Sequence, residues 1–414
     1  MRDRASRIFL GWKIVAGAVA LQTLIAALFQ QAYGVYASFW MAEFGWSRTT
    51  ISLAYSLHRT ESALLGPAHG WLLQRFSPRH VILAGILTLG TGFVALAFVR
   101  GFTQFIACFL LMAVGASLAS ILSLTTVLVN WFERYRARAM SLLATGLSIG
   151  GLLIPLVTIA LVTYGWRPVS VASGLLVLLL GVPISRLMHR APEPFGLLPD
   201  GGPAPGQADG HAPASPARPS FTVREALRTR TFWLLSFGHS SGFMAVSGLM
   251  VHYVIFVQDR FELTVTVAAT LLTMMTLASM AGQLIGGFYG DRVEKRLLAS
   301  AGMLGHAAAL VLMAFASSVP VLVVASLLNG FSWGIRGPLM SAMRADYFGR
   351  ASFAMIMGTS SLVVTLGAVG GPLLAGLLAD RSGDYRLAFL MLAATSLAGA
   401  AAFFCLSPPT MRPG

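Results

Sequence analysis

The chain has 414 residues, of which 56% are hydrophobic and 11% are charged, and its mean hydropathy is +0.75. This composition excludes a soluble globular protein and predicts a membrane protein with several spans. The formal net charge of +14 could suit a nucleic-acid-binding protein. Most of the basic residues, however, lie in or beside the loops that connect the apolar windows, so we expect no nucleic-acid partner.

Twelve apolar windows are long enough to cross a bilayer as helices, which takes about 20 residues each. The basic segment MRDRASR before the first window resembles the start of a signal peptide. The hydrophobic stretch that follows is too long for a cleaved leader, so we interpret it as a retained first span. The windows cover roughly 12–37, 50–73, 80–99, 103–130, 139–163, 168–188, 231–257, 264–289, 298–317, 320–345, 351–378 and 386–406.

Lys and Arg are concentrated in alternate loops. If the N-terminus is cytoplasmic, the segments that contain Arg75, Arg134, Arg292 and Arg344 lie on the inner side, and the outer loops hold far fewer basic residues. This distribution follows the positive-inside rule and predicts that both termini are cytoplasmic.

A segment rich in Pro, Gly and Ala, APEPFGLLPDGGPAPGQADGHAPASPARPS, separates the sixth window from the seventh. Because it has no hydrophobic periodicity, we predict a disordered cytoplasmic linker. The predicted organisation is a six-helix bundle at 1–189, a linker at 190–230 and a second six-helix bundle at 231–414. GWLLQRFSPR at 70–79 aligns with GFYGDRVEKR at 287–296, and Pro155 and Pro372 keep nearly the same separation. This repeat predicts an all-α membrane protein with two pseudo-symmetric halves.

Three charged residues are predicted at membrane depth: Arg59 and Glu61 in the second window and Arg336 in the tenth. Such charges are costly, so they face a wet cavity or one another. Arg336 lies in WGIRGP, where Gly334, Gly337 and a proline predict a thinned or kinked helix with room beside the guanidinium. Since arginine stays charged and its planar fork fits carboxylates, an anionic substrate is one natural partner. A structural tie to Glu61 or to backbone carbonyls is the alternative.

Helical spacing separates the polar residues of the second window. Tyr55 and Arg59 share one face, whereas Glu61 points almost to the opposite side. His58 lies three residues before Glu61, so the two could share a proton, and a carboxyl at this depth suits reversible protonation. The alternative for Glu61 is a structural counter-ion to an arginine. Further candidates for substrate binding, each equally able to form hydrogen bonds between helices, are Gln30, Tyr33, Ser120 and Ser240.

The two halves, each with a loop related to Gly-x3-Asp-Arg-x3-Arg, resemble the major facilitator superfamily over essentially the whole chain. GWKI near the N-terminus, FGWSR at 44–48, PEPFGLLPDG and YFGR at 347–350 resemble its bacterial branch of monocarboxylate and oxalate/formate porters. The resemblance implies the major facilitator fold, with 12 transmembrane helices and a central site lined mainly by spans one, four, seven and ten. It also implies alternating-access transport of a small organic anion, coupled to protons or by anion exchange.

The resemblance assigns gating to the repeated loop, although a tight positively charged turn without a gating role is the alternative. The first copy has Gln74 where the family pattern has Asp, so a charged clamp is expected only in the second copy. The monocarboxylate porters also place an Asp and an Arg on span eight, and this sequence has neither there. The gating candidates are Gly70, Gln74, Arg75 and Arg79 in the first copy and Gly287, Asp291, Arg292 and Arg296 in the second.

Two other functions remain open: export of hydrophobic or cationic compounds by proton antiport, and a transporter-like sensor. The sequence has no motif for an enzyme, a metal site or a cofactor. We expect a monomer in the cell membrane, with the lipid bilayer, a small organic anion and, in the coupled case, protons as its partners.

Overall fold

A computed structural model describes residues 9–47, 50–51, 53–54, 57, 61, 64–201 and 220–409 of the chain. Regular structure in these residues is helical, and none of them forms a β-strand. The chain divides into two compact units, Met1–Arg218 and Pro219–Gly414.

The first unit is built from apolar helices that pack through small residues. Gly146 lies against the first helix, so a Cβ there would come within 2.9 Å of the Val19 carbonyl oxygen. Such close approach of backbones is typical of membrane helices. A π-helical turn at Ala26–Gln30 interrupts the first span, and the helices of this unit are α1 Leu10–Ile25, α2 Tyr33–Phe44, α3 Gly66–Arg75, α4 Pro78–Leu96, α5 Phe102–Ala119, α6 Ile121–Trp131, α7 Arg136–Leu152, α8 Ile154–Tyr164 and α9 Trp166–Leu187.

The helices of the second unit are longer and mostly unbroken. They are α10 Val223–Leu227, α11 Arg230–Phe261, α12 Val265–Gly290, α13 Lys295–Ala314, α14 Val319–Phe348, α15 Phe353–Ser382 and α16 Arg386–Phe404.

Helices α12 and α14 are in backbone contact through glycines on both sides. Gly330 and Gly334 of α14 lie against the backbone of α12, while Gly282 and Gly286 of α12 lie against the backbone of α14. Two small residues four apart on each helix allow this approach, and van der Waals packing then stabilises the pair. The pairing positions α14, which carries Arg336.

Eleven helical stretches within the described residues are long and apolar enough to cross a membrane. The prediction of an all-helical membrane protein is therefore confirmed. The predicted second span, 50–73, lies only partly within the described residues, so the count of 12 stays a prediction.

The first part of the predicted disordered linker is ordered. Asp200 accepts hydrogen bonds from three backbone N–H groups of the segment before α7: those of Glu133 (3.1 Å), Arg134 (2.7 Å) and Tyr135 (3.2 Å). The Phe195 ring also lies 6.0 Å from that of Trp131. The prediction of disorder was wrong for 190–201, because composition does not reveal that one carboxylate satisfies three donors at a helix start.

Candidate functional site

The Arg336 side chain lies inside the second unit and is 0% exposed. Its guanidinium carbon lies 4.7 Å from the centre of the Trp333 ring, close enough for a cation–π contact. On another side it packs against α11, where a Cβ on Gly242 would lie only 2.5 Å from that carbon. Glycine at 242 therefore makes the space that the guanidinium occupies.

The buried guanidinium of Arg336 has unsatisfied hydrogen-bonding capacity. Its Nε, Nη1 and Nη2 have no hydrogen-bond partner among the described residues. No described carboxylate of the second unit forms an ion pair with it. Because an unpaired buried charge is costly, this arrangement is suited to an anion that is bound for only part of the time.

A second arginine, Arg344, is buried in the same unit but has hydrogen-bond partners for both of its Nη atoms. It is 1% exposed and donates to the Met340 carbonyl (3.1 Å) and the Ser360 hydroxyl (2.6 Å). Its Nη2 also lies 3.2 Å from Nδ1 of His239. Helices α11, α14 and α15 thus meet at this side chain. The sequence assigned its segment to the inner side of the membrane, which stays a prediction, and it did not indicate that the side chain bonds to residues of other helices.

Two further buried polar residues, His306 of α13 and Asn329 of α14, lie beside Trp333, the residue that contacts Arg336. They are 0% and 1% exposed, respectively, and Asn329 Nδ2 lies 3.2 Å from His306 Nδ1. The His306 ring centre is 6.2 Å from that of Trp333. Sequence reasoning missed this pair, although Asn329 lies seven residues before Arg336 and therefore on the same helix face.

Several predicted substrate-binding residues have hydrogen-bond partners within the protein. The Tyr33 hydroxyl donates to the Ile51 carbonyl (2.7 Å), and Ser120 donates to Gln22 Oε1 (3.2 Å). In the second unit, Ser240 donates to the Val363 carbonyl (2.9 Å). Gln30 ends the π-helical turn of the first span. These contacts connect helices, and the roles of these residues in substrate binding stay predictions.

The polar residues predicted to cluster on the second span lie mostly outside the described residues. Tyr55, His58 and Arg59 lie outside the described residues. Glu61 is helical and half-buried, and its backbone carbonyl accepts from the Leu65 N–H at 2.9 Å. The assignment of proton coupling to Glu61 and His58 therefore stays a prediction.

The second loop predicted to gate is held within its own unit by ion pairs and hydrogen bonds. Arg296 donates to Glu294 Oε2 (2.7 Å) and to the Leu406 carbonyl (2.8 Å). Lys295 pairs with Asp346 at 2.9 Å, so the loop is connected to the end of α14. Of the other predicted residues there, Gly287 is buried, Asp291 follows the end of α12, and the Arg292 guanidinium lies 3.8 Å from the centre of the Phe288 ring.

The first loop predicted to gate lies at the end of α3 and the start of α4. Gly70 is buried in α3, Arg75 ends that helix and is exposed, and Arg79 is half-buried. The Gln74 carbonyl accepts from Arg190 at 3.4 Å. Burial and the nearby Arg79 charge lower the pKa of His189, which indicates that this loop and the end of α9 share one basic surface.

The sequence matches the model of a family described as the Major Facilitator Superfamily, over residues 19–272 and 235–414. The chain belongs to the Major Facilitator Superfamily. It is 25% identical to monocarboxylate transporter 13 of Bos taurus, over 97% of this chain and 92% of that protein. It is 26% identical to the 3-(3-hydroxy-phenyl)propionate transporter of Escherichia coli strain K12, over 95% of this chain and 94% of that protein.

The fold is also that of solved structures of this superfamily. The crystal structure of the E. coli fucose:proton symporter matches with a TM-score of 0.74 at 15% identity, over 96% of this chain and 99% of that one. At this identity the likeness shows the fold alone. The predicted membership of the superfamily is confirmed.

The internal repeat of this facilitator places different chemistry at matching positions of its two units. Gln22 and Ser120 of the first unit correspond by the repeat to His239 and Arg336 of the second. The first pair is neutral and hydrogen-bonded to itself at 3.2 Å. In the second unit, one matching position carries a buried cation whose nitrogens have no partner in the described part of the chain. The fold therefore does not require the arginine, which favours a functional role.

Proposed function

We propose that this facilitator is a secondary active transporter of a small organic anion, with a monocarboxylate as the first candidate. It moves its substrate across the cell membrane by alternating access, coupled to protons or by anion exchange. Twelve spans and cytoplasmic termini belong to the same proposal. Membership of the superfamily and the two relatives named for monocarboxylate and 3-(3-hydroxy-phenyl)propionate transport support it.

The observation that carries the proposal is the state of Arg336. A fully buried guanidinium whose three nitrogens have no partner among the described residues needs an anion to offset its desolvation. A carboxylate matches the fork of the guanidinium with two parallel hydrogen bonds. The second unit alone therefore provides a carboxylate anchor. Arg59, Tyr55, Gln30, Tyr33, Ser120 and Ser240 are proposed as the remaining substrate-binding residues.

Uptake of a panel of small carboxylates into proteoliposomes tests this proposal. Arg336→Ala should reduce anion uptake by at least about 100-fold, because a lost charge-assisted bidentate contact is worth roughly 3 kcal/mol. Arg336→Lys should recover only part of the rate, since a point charge cannot form the fork. The exposed Arg260 of the same unit provides a matched control, and Arg260→Ala should transport normally. Wild-type anion uptake by Arg336→Ala would refute the site, and uptake of cationic dyes instead of anions would refute the substrate class.

The proposed coupling residues are Glu61 and His58. A carboxyl that carries a proton makes net uptake depend on a pH gradient, whereas exchange of one anion for another needs no proton. We therefore expect Glu61→Gln to lose gradient-driven accumulation and to keep anion counterflow. Gradient-driven uptake that survives this substitution would remove Glu61 from the coupling mechanism.

A further inference from the structure

Arg336 is not alone in the second unit in having buried polar atoms without a hydrogen-bond partner among the described residues. Within the described residues, buried atoms without a hydrogen-bond partner include the three guanidinium nitrogens of Arg336, Nε2 of His306 and Oδ1 of Asn329. All three side chains are at least 99% buried. Buried polar groups are normally hydrogen-bonded, so such a concentration on neighbouring residues indicates the place of a ligand.

The contacts arrange these atoms in a line along α14. Asn329 and Arg336 are seven residues apart on one helix face, which corresponds to roughly 10 Å along the axis. Trp333 lies between them, 4.7 Å from the Arg336 guanidinium carbon and 6.2 Å from the His306 ring centre. The Phe243 ring of α11 packs edge-on against Trp333, with centres 5.0 Å apart. The line thus has a cation at one end, aromatic rings in the middle and a neutral polar pair at the other end.

The polar pair offers one donor and one acceptor. If Nδ1 of His306 accepts from the Asn329 amide, Nε2 carries the proton and is a free donor, while Oδ1 of Asn329 is a free acceptor. If the Asn329 amide is rotated, Nδ1–H donates to its oxygen, leaving Nε2 as an acceptor and the amide nitrogen as a donor. Both assignments complement a group that donates and accepts at once, and a hydroxyl is the simplest such group.

We infer that His306 and Asn329 form the distal half of the substrate site, and that the preferred substrate is an aromatic carboxylate with a hydroxyl at the end remote from its carboxylate. The carboxylate binds Arg336, the ring packs on Trp333 and Phe243, and the hydroxyl bonds to the His306–Asn329 pair. This inference rests on the proposed function, because it takes Arg336 as the carboxylate anchor.

Matched ligand pairs test the inference in the full-length protein. Uptake of 3-(3-hydroxyphenyl)propionate should exceed that of 3-phenylpropionate by about 5- to 100-fold in kcat/KM, because the analogue leaves a buried donor and acceptor unpaired. Asn329→Leu keeps the volume but removes the amide oxygen and nitrogen, so it should reduce this ratio several-fold, while His306 still offers one hydrogen bond to the hydroxyl. A pair of aliphatic acids, hexanoate and 6-hydroxyhexanoate, tests the aromatic middle and should be transported less well than the aromatic pair.

The control is Ser326→Ala, which removes a buried hydroxyl of the same helix that bonds to Tyr253 and to the Leu322 carbonyl. It should slow both members of each pair equally. The inference is overturned if the wild type transports the hydroxylated acid no better than its analogue. It is also overturned if the Asn329→Leu variant is active and keeps the wild-type preference for the hydroxylated acid. If that variant does not fold, the test is how far each ligand raises the thermal unfolding midpoint of the wild type. Equal increases for the hydroxylated acid and its analogue would overturn the inference. These outcomes leave the proposed function intact as long as Arg336→Ala abolishes uptake of every anion.

Discussion

Two arginines of the second unit differ only in what surrounds them. Arg336 and Arg344 are both at least 99% buried on α14. Arg344 is hydrogen-bonded to three groups on three helices, whereas the Arg336 nitrogens have no described partner. Because a buried charge is stable only when its donors are satisfied, Arg344 stabilises the unit and Arg336 is available to a ligand.

Removal of the Ser360 hydroxyl should therefore affect stability. Ser360→Ala leaves Arg344 Nη2 and the Ser236 hydroxyl short of a partner, and we expect the free energy of unfolding to fall by about 1–3 kcal/mol. Thermal unfolding of the purified protein in detergent measures the change. The neighbouring Ser361 bonds only to its own helix, at the Gly358 carbonyl, so Ser361→Ala should shift the midpoint little. Equal shifts in both variants would contradict the assignment of Arg344.

At the scale of elements, a glycine of α14 has a packing role that the sequence did not predict. The sequence predicted that Gly334 and Gly337 thin or kink the helix beside Arg336. The helix is continuous from Val319 to Phe348 with Pro338 inside it, so the thinning or kink stays a prediction. Gly334 lies against the backbone of α12 at Ser279. Only Gly337 faces open space, with nothing within 4 Å of an added Cβ. The spacing of the glycines is visible in the sequence, but the sequence does not show that α12 is the helix that packs against them.

Two substitutions on this helix separate packing from flexibility. Gly334→Ala places a methyl group against the α12 backbone, with an added Cβ only 2.8 Å from the Gln283 nitrogen. We expect a loss of about 1–3 kcal/mol in the free energy of unfolding, as for other overpacked sites. Gly337→Ala meets no atom and replaces a poor helix former, so it should be neutral or stabilising by up to about 1 kcal/mol. Thermal unfolding of both variants tests the pair, and a neutral Gly334→Ala would show that α12 and α14 are not in close contact.

At the scale of the whole molecule, the connection between the two units begins as an ordered part of the first. Residues 190–201 follow α9 and return to the start of α7, where Asp200 accepts three backbone hydrogen bonds. A negative charge at a helix N-terminus is stabilising. The order of residues 190–201 is therefore not what the composition of the segment indicates.

Asp200→Ala should release this segment. We expect faster hydrogen–deuterium exchange at the amides of 133–135 and easier proteolysis within 190–201, because the three donors lose their acceptor. Asp384→Ala is the control: it removes an exposed carboxylate from a loop of the other unit and should leave both signals unchanged. Unchanged exchange at 133–135 in Asp200→Ala would show that the carboxylate does not hold the segment.

The sequence by itself determined the class of protein, most of the spans, the repeat and the placement of Arg336 within a span, because hydropathy, periodicity and isolated intramembrane charges can be read locally along the chain. It did not determine which buried polar groups have partners. His306, Asn329 and Arg344 were missed as neighbours of the site, and Ser240 and Tyr33 have partners on other helices. Whether a buried donor is satisfied depends on side chains distant in sequence, and only the packing of helices from separate parts of the chain decided it.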